Sequence, residues 1–465
     1  MLNQVEYYQN SDVRNRIAEY CGGTADQPDQ FTAEYLVGYG ESLVWDGKPS
    51  EYESVSKSDF HWILDKGLDI FRSNWDRAST LGIIDIEYFN MDFGGETYLN
   101  PGRCFELIEP IRYALKSAFQ RYEIPFVEIM TGQGYHFTTR VVRNSAADAE
   151  LISLGRVNDS VAGKYAHPKG RRSRPVSRSH GQSFDAMGRL MEFLSQDAIR
   201  DACSQSSIPI VTTDVAVGRS KRGREAISVD LSMYGDPIHM RDVRTAFSTH
   251  QKHKVMRHKV GDEIARNIPV QTCIPTGELS LKDRLEMRRH FQLTSEWAAA
   301  SGPMKIPSAN AGFLNLIDEY RKSRLFEFHR YFDSTEHDPW NVWPRTYDKF
   351  DLRTIPPCVA FALQQPNPHL LKPTNLQALT RTLMGIGWHP KHIAGLVRSK
   401  FERPYGWEGG WQKYDATTRA DFYIRLFAGQ IWTGLDQHLD HNCISHQQKG
   451  YCLRPFCGYS LGDYR

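Results

Sequence analysis

Asp85 and Glu87 stand two residues apart in Leu81–Asn90, LGIIDIEYFN, inside an otherwise apolar run. Alternate side chains of a β-strand share a face, so the two carboxylates project together while Ile84 and Ile86 face a core. Carboxylates aimed at one point repel unless a cation sits between them. Mg²⁺ suits such a place, because it is commonly held by one or two carboxylates plus substrate phosphates. Taken alone, the same pattern is an ordinary solvated strand face. A third carboxylate, Asp230, lies among β-formers in Ala226–Met233, AISVDLSM. Beyond it Arg244, Ser248, His250, Lys252 and Lys254 follow closely, and these types can hold a triphosphate: a planar fork, point charges, and neutral or switchable donors. Between the acids, PFVEIMTGQGYHFTTRVV alternates apolar and polar residues around a Gly132–Gly134 turn, which predicts two strands that bring His136 to the sheet surface.

The elements needed to position these groups are legible as periodicity. Helical spacing covers Asp12–Tyr20, closed by Gly22 and Gly23, then Phe60–Trp75, Arg103–Tyr122 and Phe184–Cys203. Ser280–Arg324 reads as a charged helical connector, and Asp333–Asp351 as a proline-bearing linker. Helices follow at Asn375–Met384, His392–Phe401 and Asp421–Ile431. Residues 1–59 read as a lead-in without visible chemistry. The basic stretch Lys164–Arg178 is a solvated loop or a phosphate-touching flap, and a second basic cluster, Arg219–Arg224, precedes the Ala226–Met233 strand.

At 465 residues the chain is long for one core, and two or three domains are expected. A net charge of +2 puts any nucleic-acid surface into local patches. No run approaches a membrane span and the polar start is no signal peptide, which places the chain in the cytoplasm, where disulfides are rare. Of eight cysteines, Cys21, Cys104, Cys203 and Cys273 are scattered, Cys358 lies in IPPCVAFAL, and Cys443, Cys452 and Cys457 cluster late. No Cys-x-x-Cys pair marks a zinc ribbon.

The ordered motifs over residues 60–260 resemble the catalytic core of archaeo-eukaryotic primases, the superfamily of the small primase subunit and of primase-polymerases. Asp85 and Glu87 match its acid-x-acid strand in the Asp-x-Glu form of the primase-polymerase branch. TGQGYHF with His136 matches its Ser-x-His motif, with Gly134 at the serine position and Thr131 nearby. Val229-Asp230 matches the hydrophobic-Asp strand, and Arg244, Ser248, His250 and Lys252 match the Arg-x-x-x-Ser-x-His-x-Lys run. Many members continue Lys-Thr-Gly where this chain has Lys252-His253-Lys254. The resemblance implies an α+β core, a mixed sheet with an RRM-like half and flanking helices. It implies Asp85, Glu87 and Asp230 as ligands of two Mg²⁺ or Mn²⁺ ions, and His136, Arg244, Ser248, His250 and Lys252 as nucleotide-binding residues.

Residues 345–465 resemble the helical C-terminal domain of the large primase subunit, joined here through a 261–344 connector. There a Pro-Pro-Cys segment entering a helix and three later cysteines hold a 4Fe-4S cluster. Cys358, Cys443, Cys452 and Cys457 match, and the rival is Zn²⁺ with His441 or His446 replacing a thiolate. In that family the domain helps bind the template-primer junction. Lys391, His392, Arg398, Lys400, Arg403, Tyr405, Trp407, Trp411 and Lys413 are the cations and aromatics available for it, or else solvated charges and core rings. The resemblance implies template-directed primer synthesis from NTPs or dNTPs on single-stranded DNA, with a separate helicase or polymerase as a possible partner and no membrane. A repair or end-joining polymerase, or a non-catalytic replication or defence factor, are the rivals. No Gly-x-x-x-x-Gly-Lys-Ser/Thr run marks a fused helicase.

Overall fold

The computed structural model describes the chain except residues 1, 42–43, 46–47, 50–51, 160–161, 163–174, 214–224, 238–239, 252–255, 258–259, 365, 367–369, 371 and 404–414. In chain order the strands used below are β1 (Leu36–Tyr39), β2 (Tyr52–Val55), β3 (Asp69–Ser73), β4 (Ser79–Asn90), β5 (Val127–Met130) and β6 (Gly134–Val142). They continue as β7 (Ile210–Thr212), β8 (Glu225–Asp230), β9 (Asp242–Arg244), β10 (Thr249–His250), β11 (Gln271–Thr272) and β12 (Ile274–Pro275). A six-stranded sheet runs β12-β5-β6-β4-β8-β7, and a four-stranded sheet runs β9-β3-β1-β2. The larger sheet is mixed: β7 pairs with β8 in parallel and its other pairs are antiparallel. β10 and β11 form a two-stranded ribbon.

The long strand β4 is central, paired with β6 on one side and β8 on the other, and its burial alternates from Ile84 to Tyr88. Ile84 and Ile86 are fully buried while Asp85 and Glu87 between them are partly open. Behind that apolar face lie α3 (Pro101–Arg121) and α4 (Arg178–Cys203), and α3 buries Phe105, Ile108, Ile111 and Leu115 against it. Helix α4 is buried over 19 of its 26 residues. That leaves it no solvent face, so it must be covered on its far side too. The cover comes from the helix Ala146–Leu154, from α5 (Asn310–Arg321) and α6 (Arg324–Phe332) and, in the C-terminal half, from the last of four helices, α7 (Pro357–Gln364), α8 (Pro373–Gly385), α9 (Pro390–Phe401) and α10 (Ala416–Trp432), the other three packing on α10 or on one another. One apolar core therefore runs without a break from Trp75 to Leu461. No helix among the described residues is long and apolar enough to cross a membrane.

Three expectations change. Residues 1–59 are built into the small sheet: α1 (Gln4–Gln9) and α2 (Ser11–Tyr20), which precede α3 in the chain, pack with β1 and β3 in a second core. Tyr7 and Tyr8 are fully buried, and the Tyr7 hydroxyl donates to the Phe247 carbonyl at 2.9 Å. The helical spacing of Phe60–Trp75 is real only to Asp65; Gly67, at φ +63°, ends the helix and the chain continues as β3. Asp333–Asp351 is no free linker, since its short 3₁₀ turns bury Trp343 and Tyr347 in the main core. The sequence showed its prolines and charges but not the pocket that receives the two rings.

Glu192 on α4 is a cost of burying this helix. Its carboxyl lies 3.4 Å from the His329 ring, and burial pushes its pKa up to about 8 against the pull of Arg425 and Arg189. Burial holds His329 well below the usual histidine range, so both groups are neutral at neutral pH. A carboxyl whose pKa is raised on folding costs stability once pH exceeds its unfolded value, and the cost grows until pH passes about 8. Glu192→Gln is therefore expected to stabilise the protein by about 2–4 kcal/mol at about pH 9 and by nothing measurable at about pH 4. Thermal melts at the two pH values check this, and equal effects at both would contradict it.

Candidate functional site

Three neighbouring strands place Asp230, Asp85 and His136 in one row. In the register of the sheet Asp230 of β8 is opposite Asp85 of β4, and Asp85 is opposite His136 of β6. Opposed residues share a face with Cβ atoms about 5 Å apart, so the three side chains stand in line on one face of the sheet. Glu87 is one pleat further along, opposite Ser228 and Gly134. The sequence-predicted acids and histidine are thus brought together by pairing alone.

The electrostatics of the row are unbalanced. Burial raises the Asp230 pKa and the facing charge of Asp85 raises it further, only partly offset by the two hydrogen bonds from Ser232. Ser232 donates its amide to one Asp230 oxygen at 2.8 Å and its hydroxyl to the other at 3.0 Å, which fixes the carboxylate plane. His136 Nε2 is 3.2 Å from Asp85 Oδ1. Burial pulls the imidazole pKa down, but the Asp85 carboxylate outweighs it and the net direction is up. His136 Nδ1 is buried with no partner among the described residues. Two facing acids in a partly dehydrated row, one with its plane fixed, are a donor set that a divalent cation fits. As they stand, no three His, Cys, Asp or Glu side chains among the described residues are grouped to hold an ion.

The cationic run lies on the neighbouring small sheet and is more structural than its spacing suggests. Arg244, stacked 4.3 Å over Phe71, donates to Asp69 at 2.7 Å and to the Thr249 carbonyl at 2.6 Å. Ser248 is fully buried; its hydroxyl accepts from the Ile70 amide and donates to the Thr249 carbonyl, both at 2.9 Å. Asp69 also accepts from the Thr249 hydroxyl and the Gln251 amide, so one buried acid folds the whole segment. His250 faces the Gly132–Gly134 turn: its Nδ1 accepts from the Gly132 amide at 3.3 Å and its Nε2 pairs with the Tyr98 hydroxyl at 3.1 Å. Lys252 and Lys254, Arg219–Arg224 and most of Lys164–Arg178 lie outside the described residues. Arg178 pairs with Asp159.

The four late cysteines do converge. Cys358, at the start of α7, lines one small cavity with Cys443, Cys452 and Cys457, and His446 of α11 (Cys443–Gln448) is on the same wall. Burial pushes the Cys358 thiol up to about 12, and each of the other three sulfurs adds to the rise. A thiol so placed becomes a thiolate when a metal ion binds it, and four thiols around one cavity are a donor set that an iron–sulfur cluster or Zn²⁺ fits. Of the candidate nucleic-acid residues, Lys391 pairs with Asp421, Arg398 with Glu402 and Arg403 with Asp348. His392 pairs with the Tyr347 hydroxyl, while Lys400 is half-buried, with its pKa lowered by burial. Tyr405, Trp407, Trp411 and Lys413 lie outside the described residues.

No family model matches the chain, and no curated protein matches it. Sequence reasoning missed Asp69, Tyr98, Ser232 and Arg288, each of which holds a predicted residue or the turn. Ser232, two positions after Asp230, was the one with a local signal, since a serine there can bond back to an acid.

Gly134 explains the missing serine. A Cβ at this position would stand 1.7 Å from the Ile86 carbonyl oxygen, because β6 starts directly against β4. Thr131 supplies the hydroxyl instead, accepting from the Gly134 amide at 3.2 Å, and spends it inside the turn. Gly134→Ser is therefore expected to destabilise the protein by about 2–4 kcal/mol, read as a fall in denaturation midpoint. A stable Gly134→Ser protein would show that the turn is placed differently.

Proposed function

We propose that the chain is a template-directed nucleotidyltransferase of the primase or primase-polymerase kind, making primers from nucleoside triphosphates on single-stranded DNA. The observation that carries the reading is the register that sets Asp230 against Asp85 with Glu87 one pleat away. Asp85, Glu87 and Asp230 would hold Mg²⁺ or Mn²⁺, which when bound activates a primer hydroxyl and neutralises the leaving pyrophosphate. Ser232 keeps the Asp230 oxygens in plane, and His136 turns the Asp85 carboxylate toward the row. His250 holds the glycine turn at the Glu87 end, while Arg244 and Ser248 act as braces of β3 and β10 beside it. Lys252 follows directly on that segment. A polymerase needs cations for a polyphosphate, whereas a phosphodiester nuclease does not; with Arg244 taken up by Asp69, it is Lys252 and Lys254 of the sequence run that favour synthesis over cleavage.

Cys358, Cys443, Cys452 and Cys457 would hold a 4Fe-4S cluster, which ties the start of α7 to the C-terminal segment. The presence of His446 on the same wall keeps Zn²⁺ as the second reading.

In an assay with single-stranded template, nucleotides and no primer, the protein is expected to make short products. The double variant Asp85→Ala/Glu87→Ala should reduce them to background while single-stranded DNA affinity stays within about 3-fold. Extension of a supplied primer without new products would instead favour a repair or end-joining polymerase. Unchanged synthesis by the double variant would refute the site. Anaerobically purified protein is expected to carry about four irons per chain and visible absorbance, both lost in Cys358→Ser; zinc in place of iron would decide for the second reading.

A further inference from the structure

We infer that Arg288 is the positioning residue for the polyphosphate of the incoming nucleotide, acting from beneath the Thr131–Gly134 turn. The inference rests on the nucleotidyl-transfer reading for the identity of the anion and on geometry for everything else.

Eight arginines are buried among the described residues. Seven of them pair with a carboxylate, for example Arg72 with Asp76, Arg112 with Glu128 and Arg244 with Asp69. Arg288 is the exception. It is fully buried, its guanidinium lies 4.5 Å over the Phe105 ring, and no acid pairs with it among the described residues. Its Nη1 donates to the Thr131 carbonyl at 2.7 Å, but Nε and Nη2 have no partner there. A buried charge without a counter-charge is one of the most expensive features a fold can carry. Burial pulls its pKa down to about 10, which still leaves it cationic at neutral pH.

The surroundings show where the missing anion belongs. Thr272 anchors the Arg288 backbone, its amide donating to the Arg288 carbonyl at 2.8 Å. Gln271, next to it on β11, is opposite His250 of β10 and so shares its sheet face. Gln271 is fully buried, and both of its amide heads lack a partner among the described residues. Arg288 holds the turn by the Thr131 carbonyl and His250 holds it by the Gly132 amide. The turn ends at Gly134, opposite Glu87. An unpaired cation and an unpaired amide therefore flank the turn at the Glu87 end of the acid row. The chemistry that satisfies them is a phosphate chain, multiply charged and rich in acceptors. A phosphate of the nucleic-acid backbone shares that chemistry, but it carries one charge per unit and has no need of a fully buried cation. Arg288 does not touch the reacting atoms; it fixes the turn and sets a positive potential under it.

The test is calorimetric titration of the full chain with inorganic triphosphate in Mg²⁺, and separately with a single-stranded oligonucleotide. Arg288→Gln is expected to weaken triphosphate binding by about 10-fold or more, and Arg288→Lys, which keeps the charge without the stacked planar fork, to recover part of that loss. Oligonucleotide affinity should move by less than about 2-fold, and in primer extension the KM for nucleotide should rise with kcat nearly constant. Unchanged triphosphate binding in Arg288→Gln would overturn the inference, as would an equal loss of oligonucleotide binding, which would assign the cation to backbone phosphate. Should Arg288→Gln fail to fold, the wild-type melt decides: triphosphate must raise the melting temperature above that in sulfate of equal ionic strength, and no difference overturns it. Arg288-dependent triphosphate binding in a protein that makes no product would leave this site standing and sink the nucleotidyl-transfer reading. Active protein with an unaffected Arg288→Gln variant would do the reverse.

Discussion

Like charges placed opposite each other across a strand pair repel, and Asp85 facing Asp230 is the constraint that the larger sheet has to withstand. The register cannot relax to avoid it. A slip of one residue would expose Ile84 and Ile86 and bury both acids, so the apolar side of β4 holds the polar side in place. Tyr135 and Phe137 on β6 do the same for His136 between them, being fully buried while the ring stays at the surface. Ser232 then removes the remaining freedom of Asp230. The repulsion is thus held by packing behind the sheet rather than relieved by a rearrangement in front of it.

That packing is α4, and it joins the two halves. Asp185 on α4 accepts from Arg189 of the same helix and from Arg425 of α10, and Arg189 reaches on to Asp333 just beyond α6. Burial alone would raise the Asp185 pKa, yet the two guanidinium groups hold it below the usual carboxylate range. A network of this kind fixes geometry more than it stabilises, because breaking one partner leaves a buried charge. Here it fixes α10 against α4, and Phe422 of α10 sits 3.3 Å from where a Gly235 side chain would be, in the turn that follows Asp230. The helical half therefore packs directly against the segment that carries Asp230 instead of hanging from it by a linker.

The acid row was legible because period-two alternation assigns faces without any tertiary knowledge, and the three acids each fell in a run of β-formers. Helices α3, α8, α9 and α10 were legible for the same reason at the longer period. What failed did so where a distant partner decides. The two tyrosines of α1 look like polar lead-in until Phe247 and Thr249 receive their hydroxyls. Trp343 and Tyr347 look like linker until the core closes on them. Ser248 and Arg244 carry types that suit a phosphate, and only the positions of Ile70 and Asp69, some 175 residues earlier, turn them inward. The convergence of Cys358 with cysteines more than 80 positions away came from a resemblance, since spacing alone does not determine it.

The two ends of the site are out of balance in opposite directions. At the row, facing carboxylates lack a cation, and the raised Asp230 pKa records the deficit. At the turn, Arg288 lacks an anion and is the one buried arginine so placed among the described residues. Elsewhere the chain pairs its buried charges within itself: Arg112 with Glu128, Arg381 with Asp436, Lys391 with Asp421. Two adjacent points with unbalanced charge of opposite sign are matched by a ligand carrying both signs. On the proposed reading a nucleoside triphosphate with its divalent cation would have that form, with the cation toward the acids and the phosphates toward the turn. Neither imbalance alone selects it: a bare acid pair would take a cation by itself, and a lone buried arginine would take any anion. Their adjacency across Gly134 and Glu87 is what narrows the ligand to one that spans both.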